Sequence, residues 1–240
     1  QGMRKEMTEI KNIIFDWDNT LFPFKEKYWE LAHRQLFSEQ LGPFTDQELN
    51  HFMEKYHEFD ELLWPQVHQR KMTIEELREE RLSLTIEYFD LKVDENYLTG
   101  FFKKFLNRLF ELIEPDEQLI QNLKNLSKNY KLALLSNGGH VEQREKLRRS
   151  QVEKLFSVYI SGETGYLKPD ARAFKNVLTK ENFQASETLM VGDLIEHDIK
   201  PAQELGMKTA YIGPEKETIA DYEFTNIQDF FDSFIEKNGD

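Results

Sequence analysis

The chain is predicted to be an α/β protein with a mostly parallel sheet and an inserted all-helical segment. Three observations point there. Short apolar runs of strand type recur along the 240 residues, and helix-length polar-apolar segments separate the runs after the first. The long interval between the first and second runs shows helical periodicity and no strand pattern. Four of the runs end in a polar or acidic residue, Asp16, Ser136, Ser161 and Asp193. A parallel sheet gathers such residues at its carboxyl edge, where open α/β proteins place their ligands.

The first run, Ile13–Phe15, opens the stretch Ile-Ile-Phe-Asp-Trp-Asp-Asn-Thr and sets an apolar strand against two carboxylates, Asp16 and Asp18. Residues two apart share one side of an extended chain, so the pair can face a common site. An Asx-turn at a loop start is the plainer reading of a D-x-D string. From Phe22 to about Ile113 the sequence reads as successive amphipathic helices. Leu98, Phe101, Phe102, Phe105, Leu106, Leu109, Leu112 and Ile113 follow the i, i+3, i+4, i+7 template, and Leu77, Leu84 and Tyr88 trace a similar stripe one helix earlier. Pro23 just past the entry and Pro115 just past the exit suit two hinge connections. These features predict a discontinuous catalytic core of residues 3–22 and 114–240, and a helical cap of residues 23–113. Strand-type runs then resume at Leu132–Leu135, Val158–Ile160, Leu189–Val191 and Thr209–Ile212.

Composition excludes several classes of function. The net charge is −13 and the pI about 5.0, with no offsetting basic stretch, which argues against binding to polymeric nucleic acid or an anionic membrane. No cysteine is present, so disulfides, zinc thiolates and thiol nucleophiles are excluded and a reducing, cytoplasmic location is permitted. No apolar run approaches the ~18 residues of a membrane span. Gln1-Gly2 before Met3 reads as the remnant of a cleaved tag.

Beyond the two aspartates, the strand ends carry Ser136-Asn137-Gly138-Gly139, Lys168-Pro169-Asp170, and Gly192-Asp193 with Asp198 five residues on. These elements, in this order, resemble the four motifs of the haloacid dehalogenase superfamily, phosphatase branch, and the match spans the whole predicted sheet domain. The helical interval between the first and second motifs resembles the caps of one subfamily. The resemblance implies a three-layer, Rossmann-like domain with an inserted helical cap, and hydrolysis of a phosphomonoester.

The chemistry of the residues stands beside that resemblance. Four carboxylates and one lysine in a cleft need a counter-cation, because unpaired buried charge costs several kcal/mol. An all-oxygen donor set suits Mg²⁺ rather than zinc. Ser136 at a strand end, followed by Asn137-Gly138-Gly139 opening a helix with free backbone N–H groups, suits an anion such as phosphate, although an ordinary turn has the same composition. Pro169 is typical of a first helical turn, and Lys168 before it would by itself be read as solvated. Asp198 could equally cap the helix that follows it.

What the resemblance implies residue by residue is an attack by Asp16 on phosphorus to give an aspartyl-phosphate. Asp18 would protonate the leaving oxygen and then take a proton from water. Mg²⁺ would be held by Asp16, the main-chain carbonyl of Asp18 and Asp193, with Asp198 fixing Lys168 or a bound water. Ser136, Asn137, Gly138 and Lys168 would bind the phosphoryl oxygens.

Two departures from the common pattern are Asn19, where glycine is usual but a left-handed backbone is still tolerated, and the bulky Trp17, expected to point away from the aspartates into the packing. His140 and His197 lack paired ligand spacing and read as incidental. Dehalogenases of the superfamily attack carbon and lack an acid two positions after the nucleophile, so Asp18 favours phosphoryl transfer. A phosphomutase or a non-catalytic phosphate-binding module stays open, as does a phosphonatase using Lys25 or Lys27. The run Gln143-Arg144-Glu145-Lys146-Leu147 and the cap's position point by resemblance to nucleoside 5′-monophosphates or sugar phosphates as substrates, with the cap setting specificity.

Overall fold

The computed structural model describes residues 9–236; the Gln1-Gly2 pair lies outside them. The first strand, β1 (Asn12–Phe15), is buried along its whole length, as an unalternating apolar run requires of a central parallel strand. Four helices follow: α1 (Glu30–Leu41), α2 (Asp46–His68), α3 (Ile74–Tyr88) and α4 (Glu95–Leu112). Both α2 and α3 start in capping boxes. Thr45 and Thr73 accept hydrogen bonds from the amides of Glu48 and Glu76, whose carboxylates reach back to the threonine N–H groups. The chain continues through α5 (Glu117–Leu126), β2 (Lys131–Ser136), α6 (His140–Arg149), β3 (Ser157–Ile160) and a single turn, α7 (Ser161–Thr164). It closes with α8 (Ala171–Glu181), β4 (Thr188–Gly192), α9 (Lys200–Glu204), β5 (Lys208–Ile212), β6 (Tyr222–Phe224) and α10 (Ile227–Glu236).

The strands form one sheet in the order β3-β2-β1-β4-β5-β6, and every pairing is parallel. β1 lies between β2 and β4, so the order reverses at the β1/β4 boundary, and their carboxyl ends flank the switch point where such sheets bind ligands. Neighbouring residues of β1 serve opposite layers. Ile14 packs with Ala133, Leu135 and Met190 against Phe174 and Val177 of α8 and Ala202 of α9. Phe15 turns to the other face and meets Phe230 of α10 edge-on, with ring centroids 5.7 Å apart. The result is the expected three-layer, Rossmann-like α/β arrangement carrying an all-helical insertion.

Five strands fall where the sequence places them, and β6 is an addition. Tyr-Glu-Phe is three residues long and pairs only with β5, at the sheet edge. So short a segment carries no measurable period.

Chain contacts separate a compact unit, Lys27–Leu112, from the rest of the described chain, so the junctions fall at 26/27 and 112/113 rather than at the 22/23 and 113/114 expected from the prolines. Within this helical unit, Phe101, Phe105 and Leu109 of α4 are buried as their spacing predicts. Helix α3 departs from expectation. Its buried face is Leu77, Arg81, Leu82, Thr85 and Ile86, whereas Leu84 is half-buried and Tyr88 is 52% exposed. The reason is Arg81, which donates to Asp60 Oδ1 of α2 (2.8 Å) and to the Tyr56 hydroxyl (2.8 Å), while the Trp64 indole N–H donates to Asp60 Oδ2 (3.0 Å). A neutralised arginine occupies the position that a hydropathy pattern assigns to a leucine. Among the described residues, no helix is long and apolar enough to cross a membrane.

Removing one partner of a buried pair leaves the other charge uncompensated, so Arg81→Met is expected to destabilise the helical unit by about 3–5 kcal/mol. Urea unfolding of the variant checks this, and a loss under ~1 kcal/mol would show that water or rearrangement replaces the pair.

Candidate active site

The site begins where β1 ends. Asp16 continues the strand's pairing, its N–H donating to Val191 O of β4 (2.9 Å), so the carboxyl is delivered at the switch point. A tight turn follows, in which the Trp17 carbonyl accepts from the N–H groups of Thr20, Leu21 and Phe22. Asn19 takes the left-handed conformation (φ 65°) that its type tolerates. Trp17 is fully buried and stacks on Phe22, with ring centroids 5.1 Å apart. Thr20, returned toward the strand end, has its hydroxyl 3.0 Å from Asp16 Oδ2 and 3.3 Å from Asp193 Oδ1.

Lys168 binds this edge together. Its buried ammonium donates to Asp16 Oδ1 (2.9 Å) and Asp198 Oδ1 (2.7 Å). Burial alone would lower the lysine pKa, but the two carboxylates outweigh it and hold the group protonated, with its pKa raised. The Asn137 side-chain amide clamps the backbone of Lys168 from both sides, accepting its N–H and donating to its carbonyl (both 2.9 Å). Pro169 is not in the first turn of a helix, as the sequence suggested. The Lys168–Pro169 peptide is cis, and α8 starts at Ala171 after an Asp170 N-cap. A cap is needed there because the first amides of a helix have no internal acceptor, and Asp170 takes the Arg172 N–H.

Asp198 lies in a π-helical turn, Ile195–Ile199, and is buried. Both its oxygens are engaged, Oδ1 by Lys168 and Oδ2 by the Leu194 N–H (3.1 Å). It does not cap the following helix, since α9 starts without a side-chain cap. Its approach requires Gly192, where a Cβ would stand 2.4 Å from the Asp198 side chain. Asp16, Asp193 and Asp198 each present an oxygen within 4.8 Å of the others. Burial, then Asp16, pushes the Asp193 carboxyl up to about 9; burial and Asp16 raise Asp198 to about 6, against the opposing effect of Lys168. Three hard oxygen donors, with the ionised forms of Asp193 and Asp198 disfavoured by burial and by their acidic neighbours, match the requirements of a divalent cation. A groove of about 580 Å³ opens beside them, with Thr20, Asp193 and Tyr211 in its wall.

Asp18 goes elsewhere. Its Oδ2 accepts from Gln143 Nε2 (3.0 Å) and its Oδ1 from Lys146 Nζ (3.1 Å), both on α6. Burial raises its pKa, with Lys146 and Gln143 opposing the rise. The same Gln143 amide donates to Ser136 Oγ at the end of β2 (2.6 Å). The Ser-Asn-Gly-Gly turn differs from expectation in two ways. Gly138 N–H is not free but donates to Ser161 Oγ (2.9 Å), and the Asn137 side chain is committed to Lys168. Of the expected phosphate ligands, Lys168 directs its ammonium at Asp16 and Asp198, while Ser136 Oγ accepts from Gln143 and has the Asn137 carbonyl at 3.4 Å. His140 is exposed beside Glu163.

Thr20, Gln143 and Lys146 are site residues that the sequence did not place in the site, Gln143 and Lys146 having entered only as part of a run pointing by resemblance to a substrate class. A signal existed for the last two. Gln143, Lys146 and Leu147 share one helical face by i, i+3, i+4 spacing, so two long polar side chains lie on the face that the buried leucine turns inward.

Known proteins resemble the chain along most of its length. The family model of haloacid dehalogenase-like hydrolases matches residues 13–212. The HAD-hydrolase YfnB of Bacillus subtilis is 28% identical over 94% of this chain and 95% of its own. A crystal structure of YfnB bound to magnesium superposes with a TM-score of 0.79 at 26% identity, covering 95% of this chain and 99% of that one. A glyceraldehyde 3-phosphate phosphatase of Methanocaldococcus jannaschii is 29% identical (93% of this chain, 96% of its own). The pyrimidine 5′-nucleotidase PynA of Streptococcus pneumoniae is 26% identical (95% and 96%). With the sheet order, the acids at the switch point and a match across most of its length, the chain belongs to the haloacid dehalogenase-like hydrolases.

Proposed function

We propose that the chain is a cytoplasmic, Mg²⁺-dependent phosphomonoester hydrolase acting on a small phosphorylated metabolite, a nucleoside 5′-monophosphate or a sugar phosphate, through an aspartyl-phosphate on Asp16. The observation that carries this reading is the separation of two carboxyls from one strand end into different environments. Asp16 is bound by Lys168 and Thr20 beside the acidic cluster, and Asp18 by Gln143 and Lys146 beside Ser136. Carboxyls in distinct environments can take distinct roles, one as nucleophile and one as acid and base. An attack on carbon has no use for the second.

Asp16 attacks phosphorus through one carboxylate oxygen, its orientation fixed by Lys168 and Thr20. Asp18 gives a proton to the departing oxygen, then accepts one from the water that hydrolyses the acyl phosphate. The Ser136 hydroxyl and the Lys168 ammonium stabilise the equatorial phosphoryl oxygens. Asp16, Asp193 and the Asp18 main-chain carbonyl would hold Mg²⁺, which supplies charge neutralisation between nucleophile and phosphate. Asp198, with both oxygens occupied, acts through Lys168. The phosphatase and nucleotidase relatives support a small phosphate ester as substrate, and the charge of −13 supports the exclusion of polymeric nucleic acid.

Asp16→Asn is expected to be folded and inactive in a panel of phosphorylated metabolites that includes 5′-nucleotides and triose and hexose phosphates; chelation should abolish wild-type turnover and Mg²⁺ restore it. Appreciable turnover by the variant overturns the nucleophile assignment, and flat, weak wild-type rates across the panel favour a mutase or a binding module.

Stability supplies a second test. Asp193 and Asp198 have folded pKa values of about 9 and about 6, above the unperturbed 3.8, so the folded chain binds more protons than the unfolded one between those values. The contribution of these two carboxyls to metal-free stability is therefore expected to fall as pH rises from 4 toward 9, the Asp198 part lost first, while buried His33, its pKa held below the usual value, acts in the opposite direction up to about pH 6.5. Mg²⁺ should raise the melting temperature more at pH 8 than at pH 5. An equal rise at both values would show that the cation binds elsewhere.

A further inference from the structure

Lys146 is a buried cation with no part in the chemistry described above. It is 1% exposed, on α6, and its ammonium has four neighbours: Asp18 Oδ1 at 3.1 Å, Glu142 Oε1 at 3.3 Å and the rings of Phe24 and Phe22, 4.0 and 5.8 Å from the centroids. Burying an ammonium costs several kcal/mol unless its partners are well placed, and an aliphatic residue would fill the same space without that cost. One turn earlier Gln143 is equally buried, and its two amide hydrogens reach two different residues, Asp18 and Ser136. The backbone makes room for it. Gly138 has φ +152°, and a Cβ there would stand 2.7 Å from the Gln143 side chain.

These contacts have one consequence in common. A carboxylate has about four lone-pair positions, two on each oxygen. Gln143 fills one on Oδ2 and Lys146 one on Oδ1, so the ring of rotations open to an aspartate at a strand end is reduced to one setting. The lone pairs left over are the only places a transferable proton can sit. Gln143 also donates to Ser136 Oγ, so the serine's own hydrogen is directed away from the amide.

Resting on the phosphatase reading above, we propose that Lys146 and Gln143 are positioning residues that fix the Asp18 carboxyl for proton transfer to the leaving group. In the step they serve, the bond from Asp16 Oδ to phosphorus forms, the bond from phosphorus to the leaving oxygen breaks, and the Asp18 proton moves to that oxygen. Both residues contact the acid Asp18 rather than the nucleophile Asp16, so they act through the acid. Their contribution scales with how much the leaving oxygen needs the proton.

That dependence separates positioning from general structural support. The test compares kcat and KM of Lys146→Met on two esters: p-nitrophenyl phosphate, whose leaving group departs as a stable anion, and the alkyl phosphate that the wild type turns over fastest. General acid catalysis contributes about 10²–10⁴-fold, so loss of its alignment should lower kcat on the alkyl ester at least tenfold more than on the aryl ester. KM should stay within about threefold, since ground-state binding is untouched. Lys146→Arg should recover part of the alkyl activity. Gln143→Leu, which removes no charge, should show the same bias and carries the test if Lys146→Met does not fold. Equal losses on both esters, or a raised KM with unchanged kcat, overturn the inference. Their failure is distinct from that of the phosphatase reading, which falls, taking this inference with it, if the wild type hydrolyses neither ester.

Discussion

A single buried ammonium holds the carboxyl edge of the sheet together. Lys168 stands between Asp16 at the end of β1 and Asp198 beyond the end of β4, within 2.9 and 2.7 Å of their oxygens. Those acids are buried, and the lysine is the cation that meets both of them, the Thr20 hydroxyl adding one hydrogen bond to Asp16 and the Leu194 N–H one to Asp198. The surroundings are arranged for this contact. The Asn137 amide fixes the lysine backbone, and Gly192 leaves out the side chain that would exclude Asp198. The sheet order contributes as well, because only at the β1/β4 boundary do strand ends diverge and leave room for several polar groups.

Asp16 and Asp18 leave one strand end and meet different cations. Lys168 serves Asp16 from the loop before α8, and Lys146 serves Asp18 from α6. Chemically identical groups are thereby placed in unlike surroundings, and that is the means by which a protein assigns two roles to two carboxyls. Gln143 prevents the two halves from being independent, since it joins Asp18 to Ser136. A shift of α6 would displace acid and hydroxyl together.

Much of this was legible in the sequence. Unalternating apolar runs ending in Asp16, Ser136 and Asp193 predict central parallel strands with polar groups at one edge, and the sheet has them. What escaped has a common physical character. Arg81, Gln143 and Lys146 are polar residues on inward faces, and hydropathy reads such positions as surface unless their partners, far away in sequence, are known. Asp60 is 21 residues from Arg81, and Asp18 is 128 from Lys146. The same holds for Asn137 and Gly138, whose partners Lys168 and Ser161 come from the loop before α8 and the start of α7, so their local composition signalled an anion site and not the brace they form. Short β6 failed for a different reason, having too few residues to show a period.

The distribution of charge ties these points together. The whole chain carries −13, yet among the described residues the buried charged ones are three acids, Asp16, Asp60 and Asp198, and three bases, Arg81, Lys146 and Lys168. The surplus of acid therefore resides where water can solvate it, as the cost of burying unpaired charge demands. Asp193 sits at the margin of this balance. It is half-buried, it lies beside Asp16 and Asp198, and among the described residues its side chain meets the Thr20 hydroxyl and makes no ion pair with a base. Lys168 is already shared between the other two acids. The cluster is thus short of positive charge at Asp193 in particular, and a cation bound there would complete the balance that the rest of the interior achieves with its own side chains.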